Sequence, residues 1–245
     1  MGEHYYGPNG EERYDAGMKE VRKEKLLPSV TTILGVINKY GLNKWKEDRI
    51  WEKCAVAMES GVTGDIPSLI ERLKAELKEE VGRSADHGGR IHRQIERYLK
   101  HGEQDEDGFT DKLQAFLQAH DIMPIEIERT FSNRMLGYGG KVDLICDVGG
   151  AGSIIDWKTK DTAKNNYTLT DEVPMQLAAC ATGVELPDYN LYTVIVSRDE
   201  PGRIIGPKLW PHNERYYKAF QAAHKLWCAI RNYNPWTGEK WYLEE

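Results

Sequence analysis

GGKVDLICDVGGAGSIIDWKTK, Gly139 to Lys160, alternates apolar and polar residues on both sides of a glycine cluster. In Lys141 to Val148, one face of the alternation carries Val142, Leu144 and Cys146, and the other Lys141, Asp143, Ile145 and Asp147. In Ser153 to Thr159, Ile154, Asp156 and Lys158 share a face, opposite Ile155 and Trp157. Gly149, Gly150 and Gly152 mark a reversal, so the stretch predicts a β-hairpin. Asp156 and Lys158 then stand roughly 7 Å apart along one strand, and strand pairing can bring Asp143 onto their face. Two carboxylates beside an ammonium suit phosphodiester hydrolysis. Carboxylates hold Mg²⁺ or Mn²⁺, which polarises a phosphoryl oxygen and lowers the pKa of bound water. The ammonium orients that water or offsets charge on the phosphate. A lone D-x-K triplet is more often a solvated strand face, so the flanking residues must carry the rest of the argument.

Upstream, Ile122 to Ser132 alternates, with Ile125 and Ile127 on one side and Glu126 and Glu128 on the other, and predicts a strand leading into the hairpin. Arg134, in the loop that follows, is a candidate phosphate clamp. Phe109 to His120 predicts a helix, preceded by an acidic loop from Gly102 to Gly108. Amphipathic spacing predicts three earlier helices: Asn43 to Ser60, Ile66 to Val81 ending near Gly82, and Asp86 to Lys100. On the last, His92 and Glu96 stand four residues apart on one flank. In L-P-S-V-T-T-I-L, Leu27 to Leu34, Ser29 after Pro28 is a helix start. Thr31 and Thr32 are candidates for a DNA phosphate contact, and capping and packing account for them equally well. Residues 1–27 are polar and read as an extended or hairpin segment, and their run Lys19 to Lys25 reads as solvated charge.

Downstream, Lys160, Lys164 and Tyr167 form a basic, aromatic segment suited to guiding single-stranded DNA, or simply an exposed loop. A helix from Pro174 to Thr182 carries Gln176 and is closed by Gly183. Strands at Asn190 to Ser197 and Arg203 to Trp210, a helix from Asn213 to Tyr233, and a tail with Trp236 and Trp241 complete the chain.

Taken together, G-G-K-V-D-L-I followed by I-I-D-W-K-T-K resembles the PD-(D/E)XK nuclease superfamily, and within it the RecB-like branch, which shows a G-x-x-D strand and then D-Y-K-T. Trp157 stands where those proteins often have Tyr. The P-S-V-T-T-I-L segment is similar to phage RecB-like exonucleases and to the mitochondrial genome-maintenance exonuclease. The helix beginning G-G-R-I-H at Gly88 resembles the family's G-x-x-x-H helix. The resemblance spans about residues 28–200 and departs at Cys180, which replaces the Tyr of a Q-x-x-x-Y helix that begins here at Gln176.

The resemblance implies an α/β (α+β) fold: a restriction-endonuclease-like αβββαβ core with a mixed central sheet, and an N-terminal helical addition. The expected layout is a polar segment at 1–27, a helical region at 28–120, the core at 121–233 and a tail at 234–245. It implies that His92, Asp143 and Asp156 bind Mg²⁺ or Mn²⁺ with the Trp157 carbonyl, and that Lys158 positions or activates the attacking water. Gln176 would orient Lys158 or the phosphate, and Glu128 would hold Lys158 or a metal-bound water. The implied activity is a deoxyribonuclease, an exonuclease acting on DNA ends or single strands in phage or bacterial recombination, repair or replication, with phage or host recombination proteins as candidate partners. The alternatives on the same fold are a catalytically silent DNA- or partner-binding module, and a structure-specific or restriction-type endonuclease.

Composition bounds these readings. With 33 Lys and Arg against 39 Asp and Glu, the formal charge is -6. DNA contact must therefore use a local groove and not a broadly basic surface. No run of eighteen apolar residues predicts a membrane span, and the start MGEHYYG has no apolar leader. A cytoplasmic protein is expected. Cys54, Cys146, Cys180 and Cys228 are widely spaced, so reduced core thiols are expected and no disulfide framework, zinc site or iron–sulfur cluster.

Overall fold

The computed structural model describes residues 3–37, 40–61, 66–163, 167–211 and 213–242. It divides into two compact units: Met1–Ile37 with Gln94–Glu245, and Asn38–Arg93. The N-terminal segment thus belongs with the sheet that follows it in sequence by about a hundred residues.

In chain order the elements are β1 (His4–Tyr6), β2 (Glu12–Tyr14), α1 (Met18–Glu24), β3 (Leu27–Pro28), α2 (Val30–Leu34), α3 (Tyr40–Glu59) and α4 (Ile66–His101). Then come α5 (Phe109–Ala119), β4 (Ile122–Asn133), β5 (Tyr138–Val148), β6 (Ala151–Lys160), α6 (Glu172–Gly183), β7 (Asn190–Ser197), β8 (Ile204–Trp210) and α7 (Asn213–Arg231). The architecture is mixed α and β, with one five-stranded sheet ordered β4-β5-β6-β7-β8 and one three-stranded sheet ordered β2-β1-β3. In the large sheet β4, β5 and β6 form an antiparallel meander, α6 carries the chain over to a parallel β6–β7 pair, and β8 returns antiparallel to β7.

The expected hairpin is β5–β6. Its register pairs Leu144 with Ile155 and Ile145 with Ile154, which leaves Asp143 beside Asp156 where the ladder ends. Directly paired residues point to the same face, so Asp143, Ile145, Ile154, Asp156 and Lys158 line one side of the sheet. Ile145 and Ile154 are buried there in one core with Leu177 and Ala178 of α6. The opposite side buries Leu144, Ile155 and Trp157.

The small sheet meets the large one by close approach at Gly139, and the next residue, Gly140, makes room for a ring of the large sheet itself. A Cβ on Gly139 would stand 2.6 Å from the Tyr6 ring, and one on Gly140 would stand 2.7 Å from Phe131. The pair at the start of β5 is what lets aromatic rings lie directly on the strand. Ser29 and Gly139 also form an isolated parallel bridge. Ser29 caps α2 as expected, its hydroxyl accepting from the Thr32 amide at 3.0 Å.

One helical expectation is corrected. Ile66–Val81 and Asp86–Lys100 are a single helix, the 36-residue α4, which runs unbroken through Gly82, Gly88 and Gly89. Each glycine costs a helix about 1 kcal/mol relative to alanine. No proline interrupts the run, and an apolar stripe through Leu73, Leu77, Ile91 and Ile95 continues on one side, all four buried. Within the smaller unit, α3 and α4 are linked by Arg49 with Glu80 and by Lys53 with Glu76 and Glu80.

The C-terminal tail folds back. The Trp236 indole donates to the Met135 carbonyl at 3.0 Å and lies beside His224. His224, on α7, is 4% exposed and ringed by Tyr138, Phe220 and Trp236. Burial pushes its pKa down to about 4, with the Gly137 carbonyl pulling the other way. The unfolded chain protonates nearer pH 6.5, so it takes up the proton first on acidification. The contribution to stability is therefore complete above about pH 6.5 and is lost as pH falls toward 4, a total of about 3 kcal/mol. Urea titrations at pH 7 and pH 5 are expected to show wild type losing about 2 kcal/mol more than His224→Phe over that interval.

Candidate metal centre

The carboxylate, ammonium and amide groups meet where β5 and β6 part. Beyond the last ladder pair, the Asp143 side chain replaces a backbone partner: its Oδ2 accepts from the Trp157 amide at 2.9 Å. This bond fixes Asp143 against the neighbouring strand. Asp156, one residue before, is buried. Its Oδ1 accepts from Lys158 Nζ at 2.9 Å and from Gln176 Nε2 at 3.1 Å. Its Oδ2 is buried without a hydrogen bond and has only the same ammonium, 2.9 Å away. A carboxylate oxygen left this way inside a protein is costly unless a cation meets it.

Lys158 is held at both ends of its polar reach, by Asp156 and by Gln176 Oε1 at 3.2 Å. Burial works against its charge, but Asp156 and Asp143 outweigh burial and lift its pKa above the ordinary lysine value. Lys158 is an ammonium at neutral pH, a donor and not a base. Gln176 bridges the pair from the first turns of α6, where helix packing against β6 sets its distance. One helical turn on, Cys180 closes the same wall, its thiol donating to the Lys141 carbonyl at 3.6 Å. Burial pushes that thiol's pKa well up, so it faces the site as a neutral group in the position the Tyr of the resembled motif would take.

Glu128 meets the first of its two expected partners differently. It does not reach Lys158, whose polar contacts are Asp156 and Gln176. It pairs instead with Lys141, Oε2 to Nζ at 2.5 Å, and one of its oxygens lies within 4.8 Å of one of Asp143. Its φ of +56 is unusual for a residue with a side chain and costs about 1 kcal/mol or more. The positive φ falls between the paired positions Ile127–Leu144 and Arg129–Val142, directly across from Asp143. Burial works against the Lys141 charge, and Glu128 more than restores it, raising the lysine's pKa. Lys141 was not singled out in the sequence, although it shares the predicted face of Asp143.

Lys160 lies on the same face as Asp156 and Lys158 at the end of β6. Burial lowers its pKa, and the nearby Arg198 and Lys158 add to that. Trp157 is 2% exposed, pointing away from the carboxylates. His92 lies half-buried on α4 in the helical unit, and Glu96, one turn further, pairs with Lys100 at 2.8 Å. Thr32 is spent on the fold, its hydroxyl donating to the His4 carbonyl and accepting from the His4 amide, both at 2.9 Å. Thr31 is exposed beside it. Arg134 donates to the carbonyls of Pro235 and Lys25, tying a loop to the tail, which gives its guanidinium structural partners in place of a phosphate. Tyr167 is half-buried in an irregular segment, and Lys164 lies outside the described residues.

Next to the carboxylates opens a cavity of about 190 Å³ that sequence reasoning missed. It runs from Asp143, Lys141 and Gln176 to a wall formed by the β1–β2 hairpin. The signal for that hairpin was present: H-Y-Y and E-R-Y flank the turn residues Pro8-Asn9-Gly10, and His4 pairs with Tyr14 across it.

Among the described residues, no helix is long and apolar enough to cross a membrane. The four cysteines are unpaired, with Cys146, Cys180 and Cys228 buried and Cys54 half-buried. No protein-family profile and no curated protein matches the chain. The crystal structure of SSO0001 is similar at 15% identity and a TM-score of 0.30, over 63% of this chain and 69% of that one, a likeness too slight to carry an argument.

Proposed function

We propose that this chain is a divalent-metal-dependent deoxyribonuclease of the restriction-endonuclease-like type, an exonuclease acting on DNA ends or single strands. The observation that carries the reading is the cluster of Asp143, Lys158 and Gln176 around the buried Asp156, one of whose oxygens has no hydrogen bond and lies 2.9 Å from the Lys158 ammonium. The donors are hard oxygens, which fit Mg²⁺ or Mn²⁺. Asp143 and Asp156 would hold the ion, joined by the Trp157 carbonyl. A bound ion of this kind supplies a polarised phosphoryl oxygen and a more acidic water.

The chain's own residues do the rest. Lys158, kept charged by its carboxylate neighbours, donates to the attacking water or the phosphate. Gln176 fixes its direction, and the Asp143 bond to the Trp157 amide fixes the separation of the two carboxylates. Lys141, compensated by Glu128, adds a second cation on the substrate side. The overall charge of -6 is compatible with DNA because these cations are concentrated in one groove.

Calorimetric titration with Mn²⁺ tests the ligand set. Wild type is expected to bind with a defined stoichiometry, and Asp156→Asn and Asp143→Asn each to weaken binding at least tenfold. Equal binding by all three proteins would refute the assignment. Closed circular single-stranded DNA separates the two nuclease modes, since an exonuclease leaves it intact.

A further inference from the structure

We propose that the cavity beside the carboxylates is a subsite for a single unpaired terminal nucleotide, whose base stacks on the Tyr14–His4 aromatic wall; the proposal rests on the nuclease reading above. Four observations carry it. The Tyr14 and His4 rings are parallel, 6° apart with centroids at 4.3 Å, and Tyr6 continues the row at 4.6 Å from His4. Tyr14 is 65% exposed, so its ring is open to a ligand, and it is oriented by its hydroxyl's bond to Glu12 at 2.8 Å. The wall is rigid where it meets the core, because Thr32 holds both backbone groups of His4 and Tyr6 sits against Gly139. The lining also offers polar groups to a nucleotide: the Ser29 and Thr31 hydroxyls, 3.0 Å apart, with Lys141, Gln176 and the carboxylates of Asp143 and Glu12.

Size argues for one nucleotide. A cavity of about 190 Å³ is smaller than the roughly 300–1,000 Å³ of sites for drug-sized ligands. It admits one base and excludes a base pair. The stacking face adds a second reason: His4 is covered by Tyr14 on one side and by Tyr6 on the other, which leaves the outer face of the exposed Tyr14 ring to receive a base. The geometry therefore selects a frayed or single-stranded end, and it does so by stacking, which every base can provide.

The test uses full-length protein and a single-stranded oligonucleotide carrying 2-aminopurine, whose fluorescence falls on stacking, at either the 5′ or the 3′ terminal position. Binding is followed in Ca²⁺ and cleavage of the same strands in Mn²⁺. Wild type is expected to quench the probe at one terminus. Tyr14→Ala is expected to abolish most of that quenching and to raise the dissociation constant about tenfold, while Tyr14→Phe retains both. An abasic terminal nucleotide is expected to erase the difference between wild type and Tyr14→Ala. Equal quenching and affinity in wild type and Tyr14→Ala, with cleavage intact, would overturn the subsite alone. No cleavage by wild type in any divalent metal would overturn the nuclease reading and the subsite with it.

Discussion

Lys158→Ala is expected to reduce metal-dependent DNA cleavage about a thousandfold and to leave a folded protein that still binds Mn²⁺. The ammonium lies 2.9 Å from Asp156 and 3.2 Å from Gln176, so nothing else in the site can move into its place. Its pKa is raised by the Asp156 and Asp143 carboxylates against the effect of burial, so it is an ammonium at neutral pH. Removing it leaves two carboxylates without their shared side-chain cation, a defect that a bound divalent ion itself relieves. Metal affinity should therefore hold or rise while turnover collapses. A purely structural lysine would lower both. Lys158→Arg is expected to rescue little, because a planar guanidinium fork does not reproduce a compact ammonium between Asp156 and Gln176. Single-turnover cleavage at saturating Mn²⁺, set beside calorimetric metal binding, separates these outcomes.

Trp157→Ala is expected to be the most damaging change to stability, at about 4 kcal/mol. The indole is 2% exposed on the sheet face opposite Asp156, and its removal opens a cavity between β6 and its neighbours. Its backbone amide is also what Asp143 binds, so a shift of this strand changes the spacing of the carboxylates. The prediction is a large fall in the urea midpoint, accompanied by weaker Mn²⁺ binding in the fraction that remains folded. Trp157→Tyr keeps an aromatic filling and is expected to recover most of the loss. A midpoint within about 1 kcal/mol of wild type for Trp157→Ala would mean that the β6 face is not packed as described.

The hairpin and the shared face of Asp156 and Lys158 were legible because a strand has a period of two. With Asp156 and Lys158 on one face and the glycines at the reversal, the register that pairs Ile145 with Ile154 delivers Asp143 to the same face. Gln176 was legible only through the resembled motif, since the bridge it makes between Asp156 and Lys158 depends on how α6 packs on β6. The ion pair of Glu128 with Lys141 was not legible, because it turns on a positive φ within a strand that alternation alone reads as regular. The break expected at Gly82 failed for a different reason: local propensity argues for an end there, while the apolar stripe through Leu77 and Ile91 argues for continuation, and the stripe wins. The aromatic wall was hidden by distance. His4 and Tyr14 read as part of a polar terminal segment until Gly139, more than a hundred residues later, makes room for Tyr6.

The central claim is metal-dependent hydrolysis of DNA by the Asp143, Asp156 and Lys158 group. Its most direct test is the fate of end-labelled linear single- and double-stranded DNA with Mg²⁺ or Mn²⁺, with EDTA, and with Asp143→Asn and Asp156→Asn proteins. The account predicts progressive loss of the labelled strand with metal, faster for single-stranded ends, absent in EDTA and absent in both variants. Intact DNA with every metal, or degradation that persists unchanged in the two variants, would contradict it.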